Sequence, residues 1–152
     1  KPKQETSTNN AVEEELPFDY YGAMYNHLAV ESGKLAPEGW RIPSVQDFIE
    51  LESYLTNNGY AGYEATALKS DSGWLASSGN GTDAIGFNGL PNGYVSAFGT
   101  PTLSEGICSW LTTDVNSATQ TRRMVQLNDE STILYSDNGI QLGAGIRCVK
   151  NN

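Results

Sequence analysis

No apolar run in the chain approaches the roughly 20 residues that a membrane-spanning helix requires, so the sequence offers no candidate span. Basic residues are scarce, 9 Lys+Arg against 18 Asp+Glu, and the net charge of −9 disfavours a nucleic-acid partner, whose phosphates need a cationic surface. There is one histidine, His27, through which any serine triad would have to pass, and neither a nucleophile elbow nor an oxyanion loop stands near it. It reads better as a polar residue on a short helix near the surface, and no catalytic residue is assigned. The only cysteines, Cys108 and Cys148, lie 40 positions apart, outside any CxxC pair or His cluster, so no metal is expected on them. One disulfide would suit an oxidising compartment, but spacing alone does not bring two Cα atoms within the roughly 4.4–6.8 Å a bridge needs. Bridge and free thiols both stay open. The first residue is Lys1 rather than Met, and the expectation is a processed or trimmed chain whose export signal, if it had one, has been removed.

What the chain does have is turn-forming and polar. Gly, Ser, Asn and Thr supply 55 of 152 residues, a mixture that favours short strands and many turns over helical bundles. A chain of this length supports one core, burying roughly 68–70% of its unfolded surface. Residues Lys1 to Glu15 carry four glutamates and only one large apolar side chain, Val12, too little to offset the entropy of ordering them; they read as a disordered tether. A single domain is expected over residues 16–152, beginning where Phe18, Tyr20, Tyr21 and Tyr25 first supply surface worth burying.

The pattern predicts one main amphipathic helix after Pro43. Ser44 is the N-cap and Asp47, three residues on, completes an acidic capping box. Val45, Phe48, Ile49, Leu51 and Leu55 follow at near-helical spacing, and Asn57-Asn58-Gly59 ends the run. Shorter helices are expected at Tyr25 to Val30 and Tyr63 to Lys69. Beyond Gly73 the apolar residues come in short alternating groups divided by Gly, Asn, Asp and Pro, which is a strand-and-turn signature. Candidate strands are 84–87, 93–96, 106–113, 122–128, 132–135 and 145–150, with hairpin loops at 114–121 and 129–131 and sequential antiparallel pairing as the simplest topology. The class is α+β.

Six motifs then appear in a particular order: Gly39-Trp40-Arg41-Ile42-Pro43, Leu68-Lys69-Ser70, Gly73-Trp74, the run from Gly86-Phe87-Asn88-Gly89 through Pro91-Asn92-Gly93-Tyr94, Ser109-Trp110, and Ile146-Arg147-Cys148-Val149-Lys150. Over about residues 20–150 that order resembles the Fibrobacter succinogenes major paralogous domain, and six motifs in register are far more specific than any one. The resemblance implies a C-type-lectin-like fold in exported, often lipid-anchored proteins of gut and rumen bacteria related to Fibrobacter and Bacteroides, with any lipid anchor upstream of Lys1. It implies no activity. The family usually reads Cys-Pro before its Gly-Trp-Arg, whereas Ala36-Pro37-Glu38 stands here, so the partner expected for Cys148 is missing. Cys108 is then a replacement partner or a free thiol.

Candidate chemistry is sparse. A calcium-bound sugar site needs clustered carboxylates and amide carbonyls. Pro91-Asn92 lacks a preceding Glu and Asn128-Asp129 lacks a preceding Trp, and turn chemistry explains both pairs better. An oxidase of the formylglycine-generating type, which shares the broader lectin-like fold, would need paired reactive thiols in one pocket. Tryptophan can stack against a sugar's apolar face. Trp40 and Trp110 sit within the motifs and read as core, while Trp74 opens the polar stretch 76–83 and is a candidate ligand contact together with Asn80 and Asp83. Tyr94 joins that candidate set. Arg122 and Arg123 point to opposite faces of a strand, and Arg122 is the candidate contact for a carboxylate or hydroxyl. Arg41 and Arg147 read as internal hydrogen-bonding groups. The expected function is an exported cell-surface binding module, non-catalytic and without a cofactor, whose partner is a glycan or a surface protein. A structural or adhesin component of a surface assembly is the second reading and the oxidase the third.

Overall fold

The computed structural model describes residues 21–102 and 105–151, so the expected tether and the aromatic residues Phe18 and Tyr20 lie outside the described residues. The elements are α1 (His27–Glu31), β1 (Trp40–Arg41), α2 (Val45–Leu55), α3 (Glu64–Leu68), β2 (Tyr94–Val95), β3 (Pro101–Thr102), β4 (Cys108–Asn116), β5 (Thr121–Leu127), β6 (Leu134–Asn138) and β7 (Val149–Lys150). Apart from β1, which lies between α1 and α2, the helices precede the strands, and every sheet is antiparallel, which makes the chain α+β. No helix among the described residues is long and apolar enough to cross a membrane.

Helix α2 forms as its caps dictate. Ser44 Oγ accepts from the Asp47 N–H and the Asp47 carboxylate accepts from the Ser44 N–H at 2.7 Å, so two donors that the helix leaves unpaired are satisfied reciprocally. Arg41 reaches the same carboxylate with both terminal nitrogens. Asp114, expected in a hairpin loop, instead lies on β4, and its Oδ2 accepts from the Val45 N–H at 2.8 Å. Asn57-Asn58-Gly59 does not stop the helix at once. The chain continues through a π-type turn at Thr56–Tyr60, and Gly59, at φ +92°, supplies the left-handed residue that ends it.

Strands β4, β5 and β6 pair in sequence order, with a register shift between Leu111 and Val115. Both faces of the β4–β5 pair are covered. Trp110, Val125 and Leu127 pack with Phe48, Leu55, Leu68 and Trp74 in one cluster, while Leu111 and Met124 pack with Val30, Ile42 and Ala144 in another. This two-sided burial accounts for the unbroken run Ile107 to Leu111, which alternation alone would not produce. The chain closes on itself where β1 pairs with β7, bringing Arg41 opposite Val149. The segment 143–145 is threaded through the middle by single bridges, Gly143 to Val95, Ala144 to Tyr25 and Gly145 to Trp110.

Several expectations need correction. The span 84–87 is a turn in which Asp83 and Gly86 take positive φ, and only the last two residues of 145–150 form a strand. Trp40 is 46% exposed, because its two-residue strand is paired only with β7 and both of its residues face outward; Trp110 is buried, as expected of a framework indole. His27 is 1% exposed rather than superficial, since α1 turns its His27 and Val30 side, one helical turn apart, toward the interior.

Candidate functional site

The sequence-derived candidates do not converge. Trp74 is buried, and its Nε1 donates to Ser70 Oγ at 3.1 Å and to the Gly89 carbonyl at 3.2 Å. Lys69 Nζ lies 4.6 Å from the indole centroid. An indole so enclosed offers no face to a sugar ring and instead pins the base of the polar loop. Asn80 accepts from the Trp74 N–H at 3.2 Å, and Asp83 Oδ1 accepts from the Asn88 N–H at 2.6 Å, so both serve the loop's own backbone. Tyr94 is half-buried on β2, opposite Thr102. Arg122 and Arg123 do occupy opposite faces, but neither is free: Arg122 pairs with Glu31 on α1 and Arg123 with Asp137, its cross-strand neighbour, at 2.9 Å. The structure therefore corrects Arg122 from an outward contact to a strut between helix and sheet.

The two thiols are free. Cys108 is buried at the start of β4 and Cys148 is half-buried just before β7, so of the two alternatives left open the structure has free thiols. They also line different cavities, one on each side of Arg147, and do not share a pocket. Burial pushes the Cys108 thiol well above its ordinary range, leaving it protonated and poorly nucleophilic. Asn92 is buried as well, and its carboxamide is committed to the Ser109 backbone. Among the described residues no three His, Cys, Asp or Glu side chains gather where a metal could sit.

What the fold does assemble is a half-open cavity of about 290 Å³ between the Gly86–Gly93 turn, the start of β4 and the 145–147 segment. That volume lies at the lower edge of the roughly 300–1,000 Å³ typical of small-ligand sites. Its walls include Tyr25, Asn88, Asn92, Trp110 and Arg147. Trp110 is rigidly seated, with Phe48 stacked on it at 6.0 Å and Phe87 edge-on at 5.4 Å. The Arg147 guanidinium carbon sits 3.9 Å from the Phe87 ring centroid. Burial lowers the Arg147 pKa, against the opposing fields of Cys108 and Asp83, and the side chain makes no ion pair among the described residues. Asn88 holds φ +52°, the left-handed region asparagine tolerates, which places it at the exposed rim. The site residues that sequence reasoning missed, Tyr25, Asn88 and Arg147, are far apart in the chain. The available signal was that three of the six motifs, the Gly86 run, Ser109-Trp110 and the Ile146-Arg147 run, contribute to the wall of this cavity.

The chain is thus an α+β domain in which motif segments line a small cavity with aromatic and amide walls. The Fibrobacter succinogenes major domain matches residues 2–150, and the chain belongs to that family. No curated protein and no solved structure matches it.

Proposed function

We propose that this chain is a non-catalytic ligand-binding module of an exported, cell-surface protein, built on a C-type-lectin-like fold, and that the 290 Å³ cavity beside Trp110 is its ligand site. The observation that carries the reading is the company of Tyr25, Asn88 and Arg147 around that cavity. No hydrogen bond within the described chain uses their side-chain polar groups, whereas Asn92 and Trp74 are fully committed. A rigid aromatic wall with uncommitted polar groups suits a sugar-sized ligand, which presents apolar faces and hydroxyls together. The resemblance to exported proteins supports the surface setting. Two thiols in separate cavities lend no support to the oxidase reading.

The test is saturation-transfer NMR against a glycan panel, with backbone amide shifts to locate binding. Asn88→Gly keeps the left-handed backbone and removes only the amide, and it should weaken any hit about tenfold while leaving the fold intact. Shifts confined to the 73–83 loop would place the site elsewhere and overturn this assignment. A second reading, a structural component of a surface assembly, is favoured by Phe98, which stands 96% exposed between β2 and β3. Sedimentation of the wild-type chain and of Phe98→Ser distinguishes it: self-association lost in the variant would favour assembly over ligand binding.

A further inference from the structure

Three of the four arginines are tied to carboxylates: Arg41 to Asp47, Arg122 to Glu31 and Arg123 to Asp137. Arg147 alone has no such partner among the described residues, although it is more enclosed than Arg41 and lines the cavity. A guanidinium remains charged under all ordinary conditions, and a half-buried charge without a counter-charge is costly. Neither neighbour pairs with it directly. Cys108 is held protonated by burial, and Asp83, felt only as a field, spends Oδ1 on the Asn88 N–H. The guanidinium lies over the Phe87 face, which offers its N–H groups no oxygen acceptor, and Phe87 is itself braced edge-on against Trp110.

Resting on the reading of this cavity as the ligand site, we propose that the ligand is an anionic monosaccharide unit and that Arg147 receives its carboxylate or sulfate group. A planar fork of N–H donors matches both oxyanions bidentately, and the partly dehydrated setting strengthens that contact. The cavity volume restricts the bound part to about one sugar ring, with Asn88 at the rim available to its hydroxyls. Selectivity rests on this side chain, because the net charge of −9 disfavours anions over the surface as a whole.

Titration calorimetry and amide-shift mapping on the full chain should compare galacturonate and glucuronate, galactose 6-sulfate, and neutral galactose and glucose. The acidic sugars should bind about tenfold or more tightly than the neutral ones, with shifts at residues 86–93 and 145–147. The uronate and sulfate arms identify which oxyanion is preferred. Arg147→Gln should reduce acidic-sugar affinity about tenfold or more and abolish the preference over neutral sugars, and Arg147→Lys should restore part of that preference. Equal affinity of acidic and neutral sugars at the cavity would overturn the anionic assignment and leave the site standing. Shifts absent from the cavity with every sugar would overturn both. The wild-type comparison decides the question even if Arg147→Gln fails to fold.

Discussion

Asn92 grips Ser109 through both ends of its carboxamide: Oδ1 accepts from the Ser109 N–H at 2.9 Å, and Nδ2 lies 3.5 Å from the Ser109 carbonyl, within reach to donate to it. Both residues are buried, and a Cβ on Gly145 would come within 2.7 Å of that Nδ2, so the side chain is also wedged between β4 and the threaded 143–145 segment. It plays the part of a missing strand neighbour. Asn92→Ala leaves the Ser109 N–H buried and unpaired and should cost about 1–3 kcal/mol, read as a lower urea midpoint with an unchanged slope. Asn92→Asp should cost more, because a buried carboxylate then faces the Ser109 carbonyl.

Stability should fall with acid in two separate steps. His27 is buried with Nε2 unpartnered, and burial, aided by the Arg122 charge, holds its pKa down to about 4 from 6.5. The unfolded chain therefore takes up a proton that the folded chain refuses, and stability is lost as pH falls from about 6.5 to about 4. Asp47 behaves as a depressed acid. Its hydrogen bonds with Arg41 and Ser44 stabilise the carboxylate, so its contribution is complete above the unfolded carboxylate pKa and disappears below about pH 4. Chemical denaturation across pH should show His27→Gln flattening the upper step alone and Asp47→Asn flattening the lower one. A wild-type curve level between pH 6.5 and 4 would count against the histidine argument.

Local chemistry made α2 legible from the chain alone, because Ser44, Asp47 and the apolar spacing all act within a few residues. The same holds for the three sequential strands, whose hairpin loops are short and polar. What sequence could not supply were contacts made at long range. Asp114 caps α2 from 69 positions away, and β1 meets β7 across the whole chain. The indoles show the limit most clearly. Trp40, Trp74 and Trp110 are chemically identical, yet exposure at Trp40 is set by an uncovered two-residue strand, and burial at Trp74 goes with the Ser70 hydroxyl and the Gly89 backbone that its indole N–H meets. The cavity was illegible for the same reason, since Tyr25, Asn88 and Arg147 meet only through that long-range closure.

Gly81 has no room for a side chain. Its N–H donates to the Ser70 carbonyl at 2.8 Å, and an added Cβ would lie 2.2 Å from the Lys69 carbonyl oxygen, which is backbone and cannot swing aside. Lys69 is itself fixed, donating from Nζ to the carbonyls of Ser78 at 2.7 Å and Asn128 at 3.0 Å, and so ties the polar loop to the turn after β5. Gly81→Ala should therefore destabilise by about 3 kcal/mol or more, the upper end expected of overpacking, whereas Gly79→Ala meets nothing within 4 Å and should cost only its positive-φ strain, about 1 kcal/mol. Calorimetric midpoints for the two variants should fall well apart, and equal midpoints would mean that the loop yields.

The cysteines offer a direct check on how the end of the chain is placed. With no bridge, intact mass under non-reducing conditions should equal that of the fully reduced chain. Cys148 is half-buried, and burial raises its thiol pKa, so a thiol-specific reagent should label it slowly in the native state and faster as pH rises. Cys108, although it borders the cavity, is only 1% exposed and belongs to the Trp110, Val125 and Leu127 cluster, so its labelling should follow global unfolding and accelerate with denaturant in step with the loss of structure. One adduct in buffer and two in denaturant is the expected result. A mass lower by two hydrogens, with no native labelling, would show a bridge and require residues 145–150 to pack differently against β4, reshaping the cavity wall that holds Arg147.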